Sequence, residues 1–307
     1  MTIRRFVVSI LALALLSAAG HAADRVKVVA SFSILGDLVR QVGGDRVDVA
    51  LLVGPDSDMH SFEPTPADAR KVKDAQLVAI NGLGFEGWAD RLVTSTGFKG
   101  ARLVASKGIK ALAARDDDHG HGHGHGKNAS HGRPDPHAWH EVANVKTYAA
   151  NIRDALATVD PARRADYHAA AARYSKSLDA LEAEIKAAVA SVPKAKRRVI
   201  TSHDAFSYYA DAYGIAFLAA QGATGKAAPS ARDVARLIRQ IRKEGIKAVF
   251  VENISNPRLI ERIAKDTGAT VGGTLYSDAL SGAGGPAATY LDLMRHNTRL
   301  LTAAMKP

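Results

Sequence analysis

Short apolar, β-branched runs alternate with stretches of helical period along most of the chain. Val26–Ala30 predicts a strand, and the apolar spacing of Ile34–Val42 an amphipathic helix. Val47–Val53 predicts a second strand, ended by Gly54-Pro55. Pro66–Asp74 reads as a helix with Thr65 as N-cap and proline at its first position. Strands at Leu77–Asn81 and Arg102–Ala105 flank a helix at Glu86–Thr94. A helix at Val142–Val159 follows. Pro161–Val192 then keeps helical period throughout, with Leu178, Leu181, Ile185 and Val189 three or four apart. Prolines bound it at 161 and 193. A second series predicts strands at Arg198–Ser202, Ile215–Ala220, Ala248–Glu252 and Thr270–Tyr276. Helices at Phe206–Tyr213, Ser230–Glu244, Pro257–Thr267 and 286–304 accompany them. Strand–helix alternation implies mostly parallel sheets. The predicted fold is α/β: two lobes, each a mostly parallel sheet flanked by helices, joined by one long rigid helix. The expected divisions are an N-terminal lobe at 23–160, the linker helix at 161–192 and a C-terminal lobe at 193–307.

The first residues break this pattern. Arg4 and Arg5 precede an apolar run, Phe6–Leu16, too short to span a bilayer, and Gly20-His21-Ala22 fits a cleavage site. Residues 1–22 are expected to be a secretory signal, with the mature protein exported, best to a bacterial periplasm. The chain has 307 residues and no cysteine. That excludes disulfides, thiolate metal sites and a lipid-bearing cysteine, so any metal site must use His, Asp or Glu. The formal charge is +10, and loss of Arg4 and Arg5 leaves +8. The basic residues are scattered, without interleaved aromatics, which argues against nucleic-acid binding and for a solvated basic surface.

Histidine is the distinctive chemistry. In DDDHGHGHGHGKNASH, His119, His121, His123 and His125 alternate with glycine and His131 follows. Glycine at every second position offers nothing to bury, so 116–131 is expected to be a surface loop. Three other polar residues stand just after predicted strands: His60, His203 and Asp278. Ligand sites of open α/β sheets lie outside the carboxyl ends of strands. His137, in Asp135-Pro136-His137, enters after the histidine loop. Three imidazoles and one carboxylate compose a tetrahedral zinc site, whereas manganese prefers more oxygen. Each histidine alone is as well read as a surface or hydrogen-bonded residue.

These stretches also carry a resemblance. HSFEPTPADA, NGLGFEGW, DPHAWH, the long central helix, VITSHDAFSYYADAYG, FVENISNP and GGTLYSDAL occur in one order. The mature chain resembles the metal-binding solute-binding proteins of ABC transporters of the ZnuA/TroA type (cluster A-I), nearest to the zinc-binding AztC subgroup. The resemblance implies no enzyme but a carrier, with metal between the lobes on His60, His137, His203 and Asp278. It implies lobes that move little, a membrane permease as partner and a monomer. Zn²⁺ is the expected cargo, and Mn²⁺ the alternative. Manganese-selective relatives commonly place Glu where His203 stands, while the disulfide of some zinc-specific members is impossible here.

Further expectations complete the picture. Glu63, Asp204 and Glu252 are candidates to orient the ligating imidazoles, each equally readable as a solvent-exposed or capping residue. His140 is expected outside the ligand set, His168 solvated and His296 structural. The histidine loop has three readings: weak zinc capture beside the tight site, receipt of zinc from a periplasmic zinc chaperone, or no role. Competition by protons predicts that affinity falls below about pH 6. A zinc hydrolase is disfavoured, because four protein ligands close the position a catalytic water needs, and neither HExxH nor Gly-x-Ser-x-Gly occurs. A zinc buffer or adhesion factor without a transporter would share the same site.

Overall fold

The computed structural model describes residues 25–114, 133–223 and 229–306. The signal segment 1–22 and the loop histidines His119, His121, His123, His125 and His131 lie outside the described residues.

The first half alternates as the pattern predicts. β1 (Val26–Phe32) leads into α1 (Ser33–Gly43), and β2 (Val47–Val53) into α2 (Pro66–Asp74). β3 (Leu77–Ile80), α3 (Ala89–Ser95) and β4 (Ala101–Val104) follow. α2 starts at a complete capping box: Thr65 accepts from Asp68 N–H while the Asp68 carboxylate accepts from Thr65 N–H. The four strands form one parallel sheet, order β2-β1-β3-β4, in register Val26 with Val47 and Val28 with Leu77. Every β1 residue but Lys27 is buried, as a strand covered on both faces requires.

α4 (Val142–Val159) and α5 (Arg164–Ala190) pack together across the middle of the molecule. α5 has 27 residues, about 40 Å at the helical rise. Its buried stripe is Tyr167, Ala171, Tyr174, Leu178, Leu181, Ile185 and Val189, spaced three and four apart. The helix is shorter than its sequence pattern at both ends. Pro161–Arg163 forms a tight 3₁₀ turn before it, and Ser191 caps it two residues ahead of Pro193.

The second half repeats the plan: β5 (Arg198–His203), α6 (Ser207–Tyr213), β6 (Ala216–Gln221), α7 (Ala231–Glu244), β7 (Ala248–Glu252), α8 (Arg258–Thr267) and β8 (Thr270–Leu275). Its parallel sheet has the equivalent order β6-β5-β7-β8. α7 begins at Ser230, whose hydroxyl accepts from Asp233 N–H. Between Val249 and Val251 the register with β8 slips, opposite Gly272-Gly273. Gly273 has φ +120°, and a Cβ on Gly272 would meet the Phe250 ring at 2.5 Å, so both positions need glycine. α9 (Tyr290–Met305) returns to pack on α5, α1 and β8. It begins at the Thr289 cap, later than the apolar pattern alone indicates. His296 accordingly ties α9 to β8, with Nε2 3.0 Å from the Thr274 carbonyl, and His168 is exposed on α5. No helix among the described residues is long and apolar enough to cross a membrane.

The predicted helix at Glu86–Thr94 starts three residues late, for a reason that bears on the site. Residues 82–84 all have positive φ, and this turn swings Glu86 inward. There its carboxylate accepts from the Asn81 and Gly82 N–H groups and from the Ser31 hydroxyl. A side chain so engaged cannot face solvent from a first helical turn. Burial raises the Glu86 carboxyl above its ordinary range, and these three donors oppose the rise.

Candidate metal centre

In each sheet the strand order reverses beside the first strand, between β1 and β3 and between β5 and β7. The crevice beyond the carboxyl ends at such a point is where open α/β sheets bind ligands. His60 follows β2, His203 ends β5, and Asp278 follows β8. His137 arrives on the strap after β4. Where the chain leaves and re-enters the described structure, Ala113 bridges Pro134, and the Asp135 N–H donates to the Leu112 carbonyl. Tyr208 of α6 accepts from Leu112 N–H and donates to the Asp135 carbonyl, so both halves anchor the strap.

The four predicted residues come together. One ligand atom from each of His60, His137, His203 and Asp278 lies within 4.8 Å of every other. His60 Nε2 is 3.0 Å and His203 Nε2 3.2 Å from Asp278 Oδ2, while His137 Nε2 is 3.5 Å from Oδ1. The side chains of His137 and Asp278 are fully buried, and those of His203 and His60 nearly so. None of these five atoms has a hydrogen-bond partner of good geometry among the described residues. Five buried polar atoms left unbonded would be costly unless something joins them, so their lone pairs point to a shared centre. Zinc bonds of about 2.0 Å in a tetrahedron put donors about 3.3 Å apart, matching these separations.

Behind the imidazoles stand two carboxylates. Glu252, at the end of β7, places Oε2 2.5 Å from His203 Nδ1, while its Oε1 accepts from the His203 N–H at 2.8 Å. Asp135 uses a single oxygen for both tasks: Oδ1 accepts from His137 N–H at 2.9 Å and lies 2.7 Å from Nδ1. Such partners leave Nε2 free for a metal. Of the three sequence candidates for this role, Glu252 alone is found on an imidazole. Glu63 is exposed, and Asp204 accepts from Ser207 Oγ at the start of α6. Asp135 was missed, although it stands two residues before His137, the spacing at which an aspartate bonds the backbone ahead of it.

The electrostatics follow. Burial disfavours a charged His137, but Asp278 and Asp135 outweigh it and push the imidazole up to about 9. Burial likewise opposes charge on His203, and Glu252 and Asp278 raise it well above the ordinary range. Burial would raise Asp278, yet His137 and His203 hold it well below. Protons on the imidazoles thus balance Asp278 when no cation does. His140 is different. Burial and the charge of His137 push it down to about 3, and neither ring nitrogen has a hydrogen-bond partner among the described residues. It packs as a neutral ring 4.6 Å from Phe206 and 5.7 Å from Trp139, outside the cluster, as expected. Phe85 wedges between the His60 and His137 rings and Trp139. A cavity of about 640 Å³ opens beside His60 and His203. Asp58, Ser202 and Gln221 line its polar side, and Val234, Ile238 and Leu259 its apolar side.

The family model for ZnuA, "zinc-uptake complex component A periplasmic", matches residues 28–304. A manganese-binding lipoprotein, MntA of Halalkalibacterium halodurans, is 32% identical over 274 residues, 89% of this chain and 86% of that protein. The iron-binding protein YfeA of Yersinia pestis is also 32% identical, over 89% of this chain and 84% of that protein. Among solved structures, a manganese-bound periplasmic metal binding protein from candidatus Liberibacter asiaticus is 31% identical with TM-score 0.77. That likeness covers 91% of this chain and 98% of that one. The periplasmic zinc binding protein TroA of Treponema pallidum, 24% identical, shares the fold at TM-score 0.84, over 92% of this chain and all of that one. The chain belongs to the ZnuA family of metal-binding, substrate-binding proteins of ABC transporters, which carry a cargo and are not enzymes.

Proposed function

We propose that this protein is the zinc carrier of an ABC importer, of the AztC type. It takes Zn²⁺ in the periplasm and hands it to a membrane permease. The observation that carries this reading is the convergence of three unbonded Nε2 atoms and the Asp278 carboxylate on one buried point. Zn²⁺ as cargo is held by His60, His137, His203 and Asp278, with Asp135 and Glu252 fixing the tautomers of His137 and His203. Three imidazoles to one carboxylate favour zinc over harder cations. The loop histidines His119, His121, His123, His125 and His131 collect zinc weakly at the surface, as a tethered ligand raises local concentration. A periplasmic zinc chaperone is a further donor. The carrier works as a monomer, exported by the signal at 1–22 and held by no lipid, since it contains no cysteine to acylate. Its lobes, 23–160 and 193–307, stay joined by the linker 161–192, of which α5 is the stiff part. The permease opens the site and takes the ion.

A second reading has its own observation. Both oxygens of Asp278 face into the cluster, which would give a larger, oxygen-preferring cation five donors. Mn²⁺ is the cargo named for MntA. The test is a competitive titration of the metal-free protein lacking residues 116–131 with Zn²⁺ and Mn²⁺. One tight zinc equivalent that manganese does not displace supports zinc transport and makes the loop an accessory. Equal or tighter manganese binding moves the protein to the manganese reading. Loss of the tight site on deleting the loop overturns the accessory role.

A further inference from the structure

Asp56 lies outside the ligand cluster, on the loop between β2 and α2 that four residues later presents His60. Its φ is +51°. Asp56 and Leu83 are the non-glycine residues with positive φ among those described. Aspartate tolerates this conformation better than most side chains, yet the conformation still has to be held in place. What holds it is a set of three hydrogen bonds. The Asp56 N–H donates to the Leu280 carbonyl at 2.9 Å. Oδ2 accepts from the Gly282 N–H at 3.1 Å, and Oδ1 from Asn253 Nδ2 at 3.0 Å.

Two of the partners lie on the Asp278 segment and the third on the turn after Glu252. Leu280 and Gly282 continue the segment that begins at Asp278. Asn253 follows Glu252, the carboxylate behind His203, and its Nδ2 also reaches the Ala279 carbonyl at 3.3 Å. The Leu280 N–H donates to Ser33 Oγ at the start of α1, so the Asp278 segment is tied to the first half of the chain at two places. One small side chain therefore joins the His60 loop, the Asp278 segment and the turn after Glu252. The 3.0 Å approach of His60 Nε2 to Asp278 Oδ2 lies at the end of this clasp.

We propose that Asp56 is a positioning residue for the cargo site: its clasp keeps Asp278 and His60 at ligating distance, and so sets how long the bound ion stays. The inference rests on the metal-carrier reading above. The clasp touches no ligand atom and leaves the cavity beside His60 and His203 open. It should therefore govern release and leave capture almost unchanged.

The experiment measures zinc association and dissociation by stopped flow, dissociation being started with excess chelator. The parent, Asp56→Gly and Asp56→Asn proteins are compared, all otherwise full length. Asp56→Gly keeps the positive φ without strain and removes both acceptors. Asp56→Asn tolerates the same backbone and keeps one acceptor. Dissociation is expected to rise about tenfold or more in Asp56→Gly, with Asp56→Asn between it and the parent, because hydrogen bonds to a charged acceptor are lost in turn. Association should stay within about twofold, since among variants of one binding site most of the change falls on release. The melting temperature of the metal-free proteins should be alike. Dissociation equal to the parent's in Asp56→Gly, or a fall in the metal-free melting temperature matching the loss of lifetime, overturns the clasp. A parent that binds no metal tightly overturns the carrier reading itself, and with it this inference.

Discussion

The two halves of the metal centre use the same chemistry on different supports. His137 and His60 rest against Phe85, which packs on Phe32 and Trp139, all within one hydrophobic core. That core runs from the first sheet through α4, α5 and α9 to the inner face of the second sheet, at Val199, Phe217, Phe250 and Leu275. His203 stands at the end of β5, and the outer face of its sheet rests on a separate small cluster. Ile200, Leu237, Ile241, Ile246, Val249, Ile260, Ile263 and Ala264 form that cluster under α7 and α8. The edge strand β8 is half exposed, with Val271 at 41%. Few buried contacts mean easier local opening. The candidate centre thus lies between a half built wholly into the large core and one whose outer face rests on the smaller cluster, and that outer face is the expected place for local opening.

The most damaging change should be the one that strikes both halves at once. Asp278→Ala removes the only carboxylate in the cluster, the counter-charge of His137 and His203 together. Breaking a buried pair in this way costs about 3–5 kcal/mol, so zinc affinity should fall roughly a thousandfold by competitive titration. A loss below about tenfold would mean the imidazoles hold the ion alone.

The two outer carboxylates sharpen the contrast. Glu252 spends one oxygen on the His203 N–H and the other on Nδ1. In Glu252→Gln the amide oxygen stays with the backbone N–H, and the NH₂ then faces Nδ1 and drives the ring proton onto Nε2, the ligating atom. Asp135 serves both groups with one oxygen, so Asp135→Asn keeps both bonds and loses only charge. Within the usual range for such partners, Glu252→Gln should cost about a hundredfold in zinc affinity and Asp135→Asn about tenfold. The reverse order would show that charge outweighs tautomer.

Acidity leaves every residue in place, and its effect runs in opposite directions with and without metal. The folded pKa of His137 is raised to about 9, so its stabilising charge is fully present below about 6.5 and is lost as pH rises through 9. The metal-free protein should therefore melt at a lower temperature at pH 9 than at pH 6.5. Zinc must displace the same proton, so affinity should rise about tenfold per pH unit per proton over that window. Calorimetric melting of both forms checks this. The window lies above the one a free imidazole predicts, because the surrounding carboxylates hold the proton.

Much of this was legible in the sequence. The strand–helix alternation gave both sheets, since buried parallel strands and capped helices leave local signatures. The Thr65 and Ser230 caps fall where the residues place them. Three of the clustered residues, His60, His203 and Asp278, were legible because each stands at or beyond a strand end, and His137 was added by the DPHAWH motif that the family resemblance carries. What escaped depends on tertiary contact. Glu86 turns inward on a positive-φ turn, against its helical surroundings. Asp135 and Glu63 look alike in sequence, and only the fold buries the first and exposes the second. The burial of His140 between Trp139 and Phe206 depends on elements that are distant in the chain.

The spacing of the four proposed ligands has a consequence of its own. Each lies more than sixty residues beyond the last, at 60, 137, 203 and 278. In the unfolded chain such points are far apart, and joining them removes much of its freedom, slowly more as the loops lengthen. A chain without cysteine thus acquires, with its cargo, a reversible staple across its whole length. The loaded protein should resist unfolding and proteolysis, and surrender of the ion should return a looser molecule, so the same event that empties the carrier also marks it as empty.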